Sequence, residues 1–358
     1  MKITRPNLRW IFSSLLATCA PLTLHAAEAT SLHFPGKDGP GKGKHIVFLT
    51  GDEEYRSEES APMLAKILSQ RHGYDCTVLF ALDADGTINP DNQKSLPDSE
   101  AIDKADTLIL NLRFRQWPDE VMERFEKAWL AGKPIIALRT STHPFNFPAE
   151  SRWARYSWNS QAPWKGGFGK EVLGETWVSH WGEHKVEAAL SVIEASAKED
   201  PLLNGVGEIF ALSDVYEAYP PADAKILMRG KVLSGMKPDS VPLETRKPRS
   251  TDKVEQPVND PMMPLTWTRN YKNEAGNTNR IFLTTLGAST DFEEESLRRL
   301  FVNAVYWSTS VEIPAKADVT YVDEYHPSYF GFKSFRKNLK VSDLDLGKPL
   351  PATGTPKP

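Results

Sequence analysis

Four short apolar runs, each closed by a polar turn, set the rhythm of the first half of the chain. They lie at 45–50, 76–82, 106–112 and 134–138. Each is too short for a buried helix and rich in Val, Ile, Leu and Phe, the signature of a strand buried on both faces. Between the first two, Met63, Leu64, Ile67 and Leu68 recur at helical spacing and Gly73 supplies a stop. The acids between Asp52 and Glu59 suit the start of that helix, where the dipole favours negative charge. Between the last two, Pro118 opens a second helix with Val121, Phe125 and Trp129 on one face and Gly132 at its end. Strands alternating with helices in this way predict an α/β protein, a mostly parallel sheet with helices on both faces.

Later segments fit the same plan less regularly. Apolar runs at 224–228, 265–269 and 280–286 read as strands. A last helix is expected from Asp291, with Glu294 completing a capping box and Leu297, Leu300, Phe301, Ala304 and Trp307 forming its buried stripe. The stretch 144–169 breaks the rhythm, but its tryptophans argue for order. Residues 30–43, rich in Gly, Pro and Lys, read as a flexible lead-in, and 343–358 as a disordered tail. One domain over 44–312 is therefore expected, with an extension at 313–342 packed on it.

The N-terminus changes where such a protein is expected to work. Lys2, Arg5 and Arg9 precede a short apolar segment from Trp10 to Leu24, and small residues follow at Ala26, Ala27 and Ala29. This is the layout of an export signal over 1–29, with a periplasmic or secreted product. The run is too short, and too broken by Pro21, for a stable membrane span. Cys19 sits in a run resembling a lipid-attachment box, but Thr18 before it makes a lipoprotein the lesser reading. With Cys19 removed, Cys76 stands alone in an apolar run and reads as a core residue. A net charge of −4 with no dense basic patch argues against nucleic acid as the partner.

In parallel sheets the functional crevice lies beyond the carboxyl ends of the strands. That rule selects the loops 52–59, 113–117 and 139–143. The first offers Asp52 and Glu54 as acid–base groups and Tyr55 as a substrate contact. The second offers Arg113, which with Arg56, Arg115 and Arg139 would make the crevice cationic. The third, Arg139-Thr140-Ser141-Thr142-His143, sits where a strand-to-helix elbow would lift side chains into the crevice. There Arg139 and Ser141 are substrate-binding candidates and His143 a general acid or base. A further stretch holds Glu175, Trp177, His180, Trp181 and His184. His180 is a second acid–base candidate. His180 and His184, four apart, share a helix face or flank a turn, and could bind a divalent metal with Glu175 or His143 as third ligand. Half of the ten tryptophans fall between Trp153 and Trp181. Their flat faces suit sugar rings, with Trp177 and Trp181 as wall candidates, or they form an aromatic core that pins the long loop.

The runs Ile46-Val47-Phe48-Leu49-Thr50-Gly51, Arg139 to His143, Gly174 to His180, Pro264 to Arg269 and Thr284 to Gly287 resemble the ThuA-like (trehalose-utilisation) domain family. The resemblance covers roughly residues 43 to 310. It implies a flavodoxin-like fold related to class I glutamine amidotransferases, and a link to disaccharide use through oxidised (3-keto) sugars. This chain departs from that relationship at two points. No cysteine stands at the elbow, so glutamine hydrolysis by that route is not expected. Leu286-Gly287 is followed by Ala288 where many ThuA-like proteins carry histidine. The first expectation is acid–base processing of a carbohydrate derivative by a hydrolase, lyase or isomerase. The alternatives are a non-catalytic sugar binder and a metal-dependent hydrolase of another small molecule.

Overall fold

The computed structural model describes residues 1–3 and 28–352. Nearly all of the export signal, the Cys19 reading and residues 353–358 of the expected tail lie outside the described residues. In chain order the elements are β1 (Ser31–Phe34), β2 (His45–Gly51), α1 (Ser57–His72), β3 (Asp75–Leu79), α2 (Ala101–Lys104), β4 (Thr107–Leu112), α3 (Asp119–Leu130) and β5 (Ile135–Leu138). There follow β6 (Ser179–His180), β7 (Ala189–Ile193), β8 (Phe210–Ala211), β9 (Tyr216–Glu217), β10 (Lys225–Val232), β11 (Arg246–Pro248) and β12 (Glu255–Pro257). The last are β13 (Met263–Lys272), β14 (Thr278–Thr284) and α4 (Glu295–Ser308).

Ten strands form one sheet in the order β1-β3-β2-β4-β5-β14-β13-β10-β7-β8. Its centre, β3-β2-β4-β5-β14, is parallel throughout. Numbered by first appearance these strands run 2-1-3-4-5, the flavodoxin-like order. The flanks differ from the mostly parallel expectation. β1 pairs antiparallel with β3, and β13, β10, β7 and β8 continue from β14 as an antiparallel meander. Side chains alternate across the parallel strands. Ile46, Phe48, Ile109, Ile136 and Phe282 face α1 and α4, while Val47, Leu49, Leu108, Leu110, Ile135 and Leu283 face α3. The apolar runs are continuous because both faces are covered. Cys76 is fully buried in the first of these cores, as its apolar run predicted.

Three segments differ from expectation. Residues 31–34 form strand β1, and the neighbouring glycines serve close packing rather than flexibility. A Cβ on Gly36 would stand 2.2 Å from the Gly73 carbonyl oxygen. The first residues of the expected tail are held in place: Leu344 is buried, and the Asp345 carbonyl accepts from Lys66 Nζ at 2.8 Å. Ser289–Glu293 is a 3-10 turn and α4 begins at Glu295, so Asp291 is no helix start. Its carboxylate instead accepts from the Gly287 and Ala288 amides at 3.0 Å each and from the Ser213 amide and hydroxyl. That ties the loop after β14 to the residue before Asp214.

The acidic run 52–59 is buried, and the C-terminal extension is what covers it. Glu59 accepts from the Ser328 amide at 2.7 Å and from Arg336 Nε at 2.9 Å. Arg56 donates to the Gly331 carbonyl at 2.7 Å and to the Ser328 hydroxyl at 3.2 Å. Among the described residues, no helix is long and apolar enough to cross a membrane.

Candidate functional site

The three expected loops meet at one rim, because the strands before them are parallel neighbours. The Arg113 amide donates to the Gly51 carbonyl at 3.0 Å, the Phe114 amide to His143 at 3.1 Å and the Arg115 amide to Pro144 at 2.7 Å. The 175–184 stretch reaches the same rim from the antiparallel side. There β6 pairs with β9, His180 opposite Tyr216, and the Trp181 amide donates to the Val215 carbonyl at 2.8 Å. His180 and His184 therefore flank a turn rather than share a helix face.

What joins them is Asp214, a residue the sequence reading did not single out. One carboxylate oxygen accepts from His180 Nδ1 at 2.7 Å; the other accepts from His184 Nδ1 at 3.0 Å and from Arg139 Nη2 at 2.9 Å. Asp214 has no exposed side-chain surface, whereas His180 and His184 keep 33% and 26%. Burial by itself would push the Asp214 carboxyl up; Arg139 and the two imidazoles outweigh it and hold it well below the usual carboxylate range. His184 Nε2 also lies 3.2 Å from Glu54. Burial disfavours its charge, but hydrogen bonds to Asp214 and Glu54 raise its pKa, so His184 is held as an imidazolium between two carboxylates. His180 differs: its Nε2 has no hydrogen-bond partner among the described residues. With Nδ1–H given to Asp214, Nε2 is the ring atom left open to a partner.

Arg139 does stand at an elbow, at φ +42°, a left-handed backbone that costs a non-glycine residue of order 1–3 kcal/mol. Its side chain folds inward instead of reaching substrate. Nη1 donates to the Asp214 and Thr285 carbonyls at 2.6 and 2.8 Å, and Nη2 also meets the Tyr55 hydroxyl at 3.0 Å. The guanidinium lies 3.8 Å from the Tyr216 ring centre and is fully buried. Arg139 positions Asp214.

Several other expected site residues are placed as supports too. Asp52 is fully buried; it accepts from the Glu54 and Tyr55 amides at 2.9 and 3.1 Å and from the Thr140 hydroxyl. Ser141 bridges β4, donating to the Leu110 carbonyl at 2.8 Å and accepting from the Leu112 amide at 3.1 Å. Tyr55 is buried under Phe330 with ring centres 5.1 Å apart. Trp181 is core, its indole N–H donating to the Val258 carbonyl at 2.8 Å. Glu175, proposed as a third metal ligand, is spent on Lys170 and the Thr176 and Tyr219 amides. The expected cationic crevice shrinks accordingly. Arg56, Arg115 and Arg139 are all buried and engaged. Arg113, 18% exposed and paired with Glu53, remains at the surface.

His143 and Trp177 stay in play. The Trp177 ring lies 5.9 Å from His143 and 5.7 Å from His180. Burial and the nearby charges of Arg113 and Arg139 push the His143 pKa far down, so its ring is neutral. His143 Nδ1 is 3.0 Å from the Thr142 hydroxyl. The tryptophans thus divide. Trp153 and Trp164 join Trp129, Tyr156 and Phe168 in an aromatic core that orders the long loop, while Trp158 and Trp177 stay half-buried at the rim.

A single π turn, Gly169–Leu173, braces the elbow from outside. A Cβ on Gly169 would stand 1.8 Å from the Thr142 carbonyl oxygen. Gly169→Ala is therefore expected to cost about 2–3 kcal/mol by displacing backbone at the elbow. Urea denaturation measures it, and an unchanged midpoint would show that the contact is loose.

His180, His184 and Asp214 each offer a metal-ligand atom, all within 4.8 Å of one another. The donor set is right in kind for a divalent transition metal, with Glu54 beside it. The fit is incomplete, because both nitrogens of His184 and both oxygens of Asp214 are already committed to one another, to Glu54, to His180 and to Arg139.

No protein-family model matches the chain, and no curated protein does. Among solved structures, it is similar to two described as ThuA-like proteins. The one from Bacteroides uniformis has 15% identity and a TM-score of 0.45, over 76% of this chain and 93% of that one. The one from Parabacteroides merdae has 13% identity and a TM-score of 0.42, over 81% and 95%. The mmIFT52 N-terminal domain follows at 15% identity and 0.36, over 76% and 100%. The fold assignment rests on the strand order and register described above. The chain is thus an α/β protein similar to ThuA-like proteins, the family its sequence motifs resemble.

Proposed function

We propose that this protein is an exported enzyme of carbohydrate use that moves protons on a sugar oxidised to a ketone. The observation that carries the reading is the shared carboxylate. Asp214 fixes His180 through Nδ1 and leaves Nε2 unpaired on a ring that is one-third exposed. A carboxylate that holds an imidazole in one tautomer makes its far nitrogen a general base. In the reaction, His180 Nε2 takes a proton from the carbon beside the ketone. The electron pair of that C–H bond moves into the carbonyl, giving an enolate whose charge Arg113 offsets. Return of the proton to a neighbouring position gives isomerisation; departure of a substituent from the next carbon, with its bonding pair, gives elimination. Trp177 supplies a flat face for the ring, and neutral His143 a hydrogen-bonding group on the same wall. Lys2, Arg5 and Arg9 ahead of an apolar segment support export.

The test is exchange of the carbon-bound proton of a 3-keto-glucoside in D2O, followed by 1H NMR. His180→Gln is expected to slow exchange by about 10²–10⁴-fold with an unchanged circular dichroism spectrum. Wild-type rates in the variant would refute the base assignment. The second reading, a divalent-metal hydrolase, is favoured by the 4.8 Å cluster of His180, His184 and Asp214. Those residues would hold the metal, which would supply Lewis acidity. Activity abolished by chelator and restored by zinc would establish that reading over the first.

A further inference from the structure

Arg113 is held from several sides and open on one edge. Its guanidinium carbon lies 4.4 Å from the Phe114 ring centre and 4.8 Å from that of Phe332. Nη1 donates to Glu53, while Nε and Nη2 make no hydrogen bond among the described residues. Both rings occupy unfavourable places to reach this cation. Phe114 takes φ +52°, a left-handed backbone that disfavours a bulky residue. Phe332, on the C-terminal extension, is 54% exposed. Glu53 alone does not balance the charge. Arg115 Nη2 donates to the same carboxylate at 3.1 Å, so two guanidiniums share one anion. Arg115 has no exposed surface, so the surplus positive charge meets solvent at Arg113. Asp52 is spent on its own loop amides, and Glu54 on His184. The open edge also adjoins the acid–base pair. The Phe114 ring lies 4.9 Å from His143, and the His184 ring, joined to Glu54, lies 4.9 Å from His180.

Nε–H and Nη2–H of one guanidinium point the same way and grip two oxygens at once, the fork that fits a carboxylate. We propose that Arg113 is a fork for a substrate carboxylate, and that the substrate is a 2-keto sugar acid. In such a molecule one carboxylate oxygen takes one N–H and the adjoining ketone oxygen takes the other. His180 Nε2 removes the proton from the carbon on the far side of the ketone. The C–H pair becomes the new C=C bond, and the carbonyl π pair settles on the ketone oxygen, against the fork. Return of a proton to that carbon restores the ketone. One guanidinium thus anchors the substrate and receives the enolate charge. This rests on the acid–base reading of His180, and it adds a substrate class which that reading leaves open.

The experiment compares 2-keto-gluconate with fructose, which has the same carbon skeleton and configuration but a hydroxymethyl group in place of the carboxylate. Exchange of the C3 proton in D2O is followed by 1H NMR, and binding by calorimetry. Wild-type protein is expected to prefer the acid by about 10–10²-fold in kcat/KM, the scale of a charge-assisted bidentate contact. Arg113→Lys keeps a charge but loses the fork; it slows exchange on both sugars and brings the preference below about threefold. Phe332→Ala, an exposed substitution, loosens the clamp and lowers the preference about two- to fivefold through KM. Equal exchange on acid and neutral sugar by wild type would overturn the proposal. So would a preference that survives Arg113→Lys in protein with an unchanged circular dichroism spectrum. The two readings fail separately. His180-dependent exchange with no preference for the acid removes the fork and keeps the base. Arg113-dependent binding of the acid without exchange on any ketone keeps the fork and removes the base.

Discussion

Asp214→Asn is expected to slow proton exchange by about 10³–10⁴-fold. An amide can offer its N–H to His180 Nδ1, which inverts the tautomer and places a proton on Nε2, the atom that must be bare. The same change acts on two other groups. His184 loses one of its two carboxylate partners, and its pKa falls back toward 6.5. Arg139 keeps its charge in a fully buried position with no anion against it. Breaking a buried pair from one side costs about 3–5 kcal/mol. Activity and stability therefore fall together, and chemical denaturation beside the exchange assay separates them. In Asp214→Glu, which keeps the charge, stability recovers more than activity does, because the longer side chain misplaces the imidazoles. Full activity in Asp214→Asn would show that His180 is not the base.

The second large effect is on stability, and its sign is a gain. Within the buried acidic run every carboxylate but one has partners. Asp52 caps its own loop, Glu53 meets Arg113 and Arg115, Glu54 meets His184 and Glu59 holds the C-terminal extension. Glu58 is the exception: both carboxylate oxygens are buried without a hydrogen bond. Burial pushes its pKa from 4.5 up to about 8, with Arg56 opposing and Glu59 adding to the rise. A raised carboxyl pKa means that the folded protein holds a proton that the unfolded chain gives up. Stability is complete below pH 4.5, declines as pH climbs toward 8 and levels off above it. The loss across that window is on the order of 3–5 kcal/mol. Glu58→Gln removes the titration and keeps the shape. Calorimetry should find it more stable than wild type at pH 8 and nearly equal at pH 5. A pH-independent difference would show that Glu58 does not titrate in this window.

The legible part of this molecule is what local pattern encodes. The apolar runs around Val47, Ile109 and Ile136 marked buried strands because both sheet faces are covered, and the carboxyl-edge rule then selected the three loops that meet. His180 and His184 were legible as residue types. The roles of Arg139, Asp52 and Ser141 were not, because burial is decided by partners far away in sequence. Arg139 faces inward only because Asp214 waits there, 75 positions on. Asp214 itself sits in 211–217, a stretch with no clear strand or helix period; one acid amid Leu212, Val215 and Tyr216 was the only available signal. The burial of the 52–59 run was not legible, because nothing local shows that Ser328, Gly331 and Arg336 return to cover it. Glycine-rich 30–43 looked flexible for a similar reason: Gly36 and Gly39 answer to the backbone at His72 and Gly73, a contact outside any local window.

Asp214 holds two imidazoles in different hydrogen-bonded states, and 15N NMR of the histidine rings tells those states apart. His184 is expected to carry protons on both nitrogens near neutral pH, and His180 to hold its hydrogen-bonded proton on Nδ1 against Asp214. A His180 ring protonated on Nε2 instead, or both rings showing metal-shifted nitrogens in protein purified without added metal, would contradict it.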